Sequence, residues 1–136
     1  MQVQPYINFE GHCEEALDFY RRALGAEIEG VMRVKEAPPE VQGMMPPGTG
    51  DKVMHASFRI GETHLLAMDG RSQGKPQFQG ISLALTAADA DEVTRHFNAL
   101  ADGGKVEMPL AKTFFAPMFG MVTDKFGITW MILAAA

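Results

Sequence analysis

The sequence predicts an α+β fold built from two tandem βαβββ modules. Three observations carry this: one order of apolar patterns occurs twice, each half holds a single helical stripe, and the two closing hairpins, "FRIGETHLLA" and "DKFGITWMIL", resemble each other. Each half alone has a sheet with one uncovered face, so pairing the halves is the economical way to complete a 136-residue chain. The expected organisation is one domain, 1–136, with a first module at 1–70 and a second at 79–136.

In the first half, "VQPYINF" alternates apolar Val3, Pro5, Ile7 and Phe9 with Gln4, Tyr6 and Asn8, which is the period of a strand. "GHCEEALDFY" follows, with His, Cys and two Glu side by side. From Cys13 onward the apolar residues fall at Cys13, Ala16, Leu17, Phe19, Tyr20, Ala23 and Leu24, one buried helical stripe that Gly25 stops. Neighbours on a helix point in different directions, so His12, Cys13, Glu14 and Glu15 cannot converge on one ion. Glu14 and Glu15 lie in the first turn, where the helix dipole favours negative charge. Cys13, on the stripe, reads as core. "AEIEGVMRV" is a second strand, and "VMHASFRI" and "THLLAMD", joined through Gly61 and Glu62, form a hairpin.

The second half repeats the order. "ISLALT" is a strand, a helix runs from about Ala90 to Ala101 with Val93, Phe97 and Leu100 on its stripe, and "DGG" ends it. "KVEMPLAKTF", "MFGMVTD" and "ITWMILA" supply the last strands, with Trp130 expected in the core. The loop "KEAPPEVQGMMPPGTGDK" is long enough to be a lid or a binding loop, and its Met44 and Met45 could cap a pocket or belong to a merely mobile segment.

Composition excludes several functions. Twelve Lys plus Arg against seventeen Asp plus Glu give a net charge of -5 with no basic run, which argues against nucleic-acid binding. The N-terminus lacks the charged and apolar regions of a signal peptide, and no apolar stretch approaches the ~18 residues of a membrane span. A single cysteine cannot form an internal disulfide and fits a reducing compartment, so the expectation is cytoplasmic, with no membrane or nucleic-acid partner. No nucleophile elbow, P-loop or paired-carboxylate site occurs.

The stretches "PYINFEGHCEEALDFY", "MHASFRIGE", "FNALADGGKVEMPLAKTFF" and "FGMVTDKFGITWMI", in this order, resemble the vicinal-oxygen-chelate superfamily of glyoxalases, extradiol dioxygenases and bleomycin-resistance proteins, and within it the PhnB-like branch. The resemblance implies a cupped mixed sheet with a central cleft, and a homodimer. In metal-dependent members the first and last strands of each module supply the ligands; those positions fall near Gln4, Leu66, Gly80 and Met131. Shifting by one residue gives Pro5, Leu65, Ile81 and Trp130, which are no better donors, so no metal and no other cofactor is expected. PhnB-like sequences have been labelled methyltransferases, but "LTAADADEV" stands where a glycine-rich cofactor turn would be needed.

Alternation in the third strand puts Met54, Ala56, Phe58 and Ile60 on the helix side and turns His55, Ser57 and Arg59 toward the cleft, joined by Tyr6 and Asn8 from the first strand. From the second module, Ile81, Leu83 and Leu85 pack inward, leaving Ser82 and Ala84 on the cleft side. Met68, Phe115, Met118, Phe119 and Met131 rim the pocket. Such a lining suits a small, partly apolar ligand with one polar or anionic group. His55 is the candidate catalytic residue, as an acid or base, with a hydrogen-bonding histidine as the structural alternative. Arg59 is placed to hold a carboxylate or phosphate, or is solvated. The expected function is metal-independent binding of a small molecule, in the manner of a resistance or sequestering protein. The alternatives are a glyoxalase- or lyase-like enzyme using His55, a metal-dependent member with an atypical site, and a structural or regulatory homodimer whose cleft its own Met-rich loop fills. His96 and Asp91, on the second helix, are assigned no role.

Overall fold

The computed structural model describes residues 1–135, so Ala136, the last residue of the expected second module, lies outside the described residues. The chain divides into two compact units, Met1–Pro76 and Gln77–Ala136. The first contains β1 (Tyr6–Asn8), α1 (Cys13–Leu24), β2 (Glu27–Arg33), a one-turn helix α2 (Pro39–Gln42), β3 (Val53–Ile60) and β4 (Thr63–Met68). The second contains β5 (Leu83–Ala87), α3 (Ala90–Ala101), β6 (Lys105–Ala111), β7 (Phe119–Thr123) and β8 (Thr129–Ala134). Their sheets have strand orders β1-β4-β3-β2 and β5-β8-β7-β6, each with its first strand parallel to its last. This repetition makes the βαβββ duplication explicit and the fold class α+β.

Helix α1 buries Cys13, Ala16, Leu17, Phe19, Tyr20 and Leu24. Tyr20 stacks on Phe58 of β3, with ring centroids 6.3 Å apart and planes 7° from parallel. Gly25 ends the helix at φ 69°, a left-handed conformation that suits glycine. No side chain next to the helix caps its start; the cap comes from Asp69, just past β4, whose Oδ1 accepts the Cys13 N–H at 2.7 Å. Oδ2 of the same carboxylate accepts the Val53 N–H at 2.6 Å, so one buried group ties helix start to strand start. Helix α3 has a local cap, with Asp89 accepting the Glu92 N–H at 2.9 Å. It buries Val93, Phe97 and Leu100 against its sheet at Gly120, where an added Cβ would lie 2.7 Å from the Phe97 ring. Trp130 is buried, as expected.

Several boundaries differ from the sequence expectation. The first strand begins at Tyr6 rather than Val3, which is 92% exposed; Pro5 has no N–H to give the ladder. Ile81 does not pack inward: it is 76% exposed and precedes β5. Leu83 already pairs with Trp130, the second residue of β8, which leaves Ile81 with no β8 residue opposite. In β3, Ala56 and Phe58 are buried as expected, but so is Val53, three residues before Ala56. The register explains it, because Met32 pairs with His55 and Arg33 with Val53, so Met54 is a bulge residue without a partner in β2.

The long loop contains a 3₁₀ turn (Val34–Glu36) and α2, and is braced by backbone bonds from Val34 N–H to Lys52 O and from Lys35 N–H to Gly50 O. The Gln42 amide donates to Ala37 O, and Arg71 donates to Met44 O. Met44 itself is 65% exposed. Both long helices have 12 residues, and no helix among the described residues is long and apolar enough to cross a membrane.

Candidate functional site

The helix of the first unit covers the sheet face carrying Ile7, Ala56, Phe58, Leu65 and Ala67, all buried. Alternation sends Tyr6, Asn8, His55, Ser57, Leu66 and Met68 to the opposite face. Tyr6, Leu66, Ser57 and Gly30 stand in one cross-strand row, and Gly30, lacking a side chain, leaves the Ser57 hydroxyl uncovered on that flank. Tyr6, half exposed, places its hydroxyl 2.9 Å from His55 Nδ1, and the two rings meet edge to face with centroids 5.6 Å apart. Burial, first of all, holds the Tyr6 phenol above its ordinary pKa, so it stays protonated at neutral pH.

The other expected site residues of this unit are engaged in its structure. The Asn8 amide donates to Glu10 Oε1 at 2.7 Å and its oxygen accepts the Glu10 N–H, closing the turn after β1. Hydrogen bonding from Asn8, then from the Gln73 N–H, holds the Glu10 carboxyl below the usual range. Arg59 is paired with Glu27 and donates to Gly61 O, so its guanidinium is already neutralised. His64 is likewise paired, with Glu29 Oε1 at 2.8 Å.

In the second unit the corresponding face is apolar. Ala84, Met131, Met121 and Met108 form one row across all four strands. Phe119 lies on this face opposite Leu133, but it is only 5% exposed, so it does not form an accessible rim as expected from sequence. Phe115, half exposed, packs edge to face against it at 5.0 Å and presents the aromatic surface instead. Ser82 is exposed and sits just before β5 rather than within it.

The four superfamily ligand positions do not fit a metal. Leu66 and Met131 lie on the sheet faces just described, whereas Gln4 and Gly80 fall outside the strands. Among the described residues no group of three or more His, Cys, Asp or Glu is placed to hold an ion. A groove of about 640 Å³ does open elsewhere, lined by Gly11, Glu14, Glu15, Asp18, Arg33, Asp51, Lys52 and Asp69. Within it Glu14 pairs with Arg33 at 2.9 Å, and Lys52 donates to the Gly11 carbonyl at 2.9 Å.

Comparison with known proteins identifies the family and supports the fold. The family described as 3-demethylubiquinone-9 3-methyltransferase matches residues 1–133. Protein YjdN of Escherichia coli K12 is 38% identical over 140 residues, covering 97% of this chain and 94% of the relative. Protein PA1353 from Pseudomonas aeruginosa is also 38% identical, with a TM-score of 0.85 over 98% of this chain and 97% of that one. A PhnB protein from Bacillus cereus, described as a putative 3-demethylubiquinone-9 3-methyltransferase, is 28% identical with a TM-score of 0.81, covering 99% of this chain and all of that one. The chain belongs to this PhnB-like family. The PhnB-like fold extends further: a glyoxalase/bleomycin resistance protein from Albidiferax ferrireducens T118, 15% identical, shares it with a TM-score of 0.63.

Cys13 is no nucleophile in this PhnB-like chain. It is fully buried, and burial, reinforced by the carboxylates of Asp69 and Glu14, pushes its thiol up to about 12. At pH 8 roughly one thiol in 10⁴ is ionised, so a thiol-reactive chromogenic disulfide should leave the native protein unlabelled and react fully in guanidinium. A pH dependence follows. Above pH 9 the unfolded chain loses this proton while the folded one keeps it, so stability falls as pH rises from 9 toward 12, by up to about 1.4 kcal/mol per unit. Cys13→Ala should remove that part of the alkaline slope in denaturant titrations.

Proposed function

We propose that this PhnB-like protein is a metal-independent binder of small organic molecules, and that the exposed face of its first sheet, around His55, Tyr6 and Ser57, holds the ligand's polar end. The carrying observation is the Tyr6–His55 pair at 2.9 Å on a face where relatives' metal positions bear hydrocarbon, Leu66 among them. Partly buried Met68 supplies pliable apolar surface beside it. On the second unit the Met108–Met121–Met131 row with Phe115 offers a further apolar platform. The family description names a methyltransferase, but the strand-to-helix turns pass through Phe9, Glu10, Gly11 and His12, and through Ala88 and Asp89, with no glycine-rich cradle for a nucleotide-like methyl donor.

The test is mass spectrometry of molecules released from protein purified without added metal. The expected result is an organic compound retained near one per chain by the wild type and about tenfold less by His55→Ala, a loss of ~1.4 kcal/mol. Zinc, iron, nickel or manganese at one per chain, removable only with a chelator, would overturn the reading.

A second reading is favoured by the same pair: an enzyme in which His55 acts as acid or base. It requires a pH-dependent turnover that disappears in His55→Ala. A homodimer is also proposed, because the edge strands β2 and β6 expose Ile28, Val31, Met32, Val106 and Met108. A cytoplasmic location accords with a single, buried cysteine that has no partner for an internal disulfide.

A further inference from the structure

The contact between Tyr6 and His55 can be made in two ways, with the phenol donating to an unprotonated Nδ1 or with Nδ1–H donating to the phenol oxygen. The phenol oxygen shares a lone pair with its ring and is a poor acceptor, while its O–H is a good donor; an imine nitrogen is the better acceptor. The first arrangement is therefore favoured, and it puts the single proton of neutral His55 on Nε2. That nitrogen makes no hydrogen bond to the described residues. The buried unpaired side-chain polar atoms are Ser72 Oγ and His96 Nδ1, so His55 Nε2 is open to solvent. The Ser57 hydroxyl, on the same face of β3, is also unpaired and accessible.

We propose that Tyr6 is a positioning residue that locks neutral His55 in the Nε2–H form, so that this face selects ligands presenting a neutral carbonyl-type oxygen. This rests on the reading of the face as a ligand site. A neutral acceptor is preferred over an anion because Arg59, the cation of the same strand, is paired with Glu27. An imidazole N–H donates to a carbonyl at little desolvation cost, whereas an unneutralised carboxylate gains no full charge in return.

The experiment uses the full chain with ¹⁵N-labelled histidine, observed above the pH at which imidazole titrates. In the wild type, His55 should show a protonated Nε2 and an Nδ1 shifted as a hydrogen-bonded imine. Tyr6→Phe keeps the ring and removes the donor; Nδ1 should move to the free-imine position and a fraction of Nδ1–H should appear. A proton on Nδ1 in the wild type, or identical spectra in the two proteins, overturns the lock. N,N-dimethylacetamide, which has a carbonyl but no N–H, is then titrated against acetate. The amide should shift the His55 ring signals at lower concentration than acetate does, and Tyr6→Phe should abolish the difference. A locked histidine indifferent to the amide overturns the carbonyl assignment. Co-purification of an organic molecule is scored separately, so failure of the lock and failure of the binding role are told apart.

Discussion

Replacing Asp69 with alanine is expected to lower the melting temperature by roughly 10–20 °C, which corresponds to about 3–5 kcal/mol for a chain of this size. The carboxylate is 2% exposed and accepts two backbone N–H groups, from Cys13 at 2.7 Å and Val53 at 2.6 Å. Hydrogen bonds to a charged acceptor contribute ~1.5–3 kcal/mol each, and alanine leaves both donors without it. Asp69→Asn tests the account: its one carbonyl oxygen can keep only one of the two bonds, so its loss should fall about halfway. Thermal melts followed by circular dichroism read both. Equal stability of the alanine variant and the wild type would show that the carboxylate does not hold α1 to β3.

The second large effect belongs to the other unit. Asp124, 3% exposed, accepts the N–H of Phe126 at 2.9 Å and of Ile128 at 3.1 Å, and the indole N–H of Trp130 at 2.8 Å. It thereby closes the β7–β8 turn and satisfies the polar edge of a buried ring. Asp124→Ala should cost about 3–5 kcal/mol, because three donors lose a charged acceptor in a site with little access to water. Trp130 is the single tryptophan, so its fluorescence reports this unit directly. The variant's urea midpoint should fall and its native emission should shift; an unaltered emission spectrum would refute the assigned bond.

Both carboxylates stood in quoted stretches, "THLLAMD" and "TDKFGITWMI", yet sequence reasoning gave neither a role. A helix cap is sought next to the helix, and the cap of α1 comes from 56 residues away. Local patterns fared better. The stripes of α1 and α3, the order of elements along the chain and the duplication were legible because a 3.6 or 2-residue period is written in the chain itself. Facing residues were legible for the same reason, so Tyr6, His55 and Ser57 fall on one face. What periodicity cannot state is whether a polar group arrives with its partner already chosen. Arg59 was read as holding a ligand's anion or as solvated, and instead pairs with Glu27, a residue of the neighbouring strand, while Asn8 is taken up by Glu10. Ile81 was misplaced because strand length depends on where the neighbouring strand starts.

The unpaired Met54 in β3 bears on how relatives of this chain could diversify. The bulge absorbs this one extra residue, so Val53 and Ala56 both face the helix although three positions separate them. Removing Met54 would leave Val53 inward, His55 outward and Ala56 inward, and the imidazole would stay where it is. A codon lost or gained farther along the strand has no such slack to absorb it, and would turn the side chains on one side of the change to the opposite face.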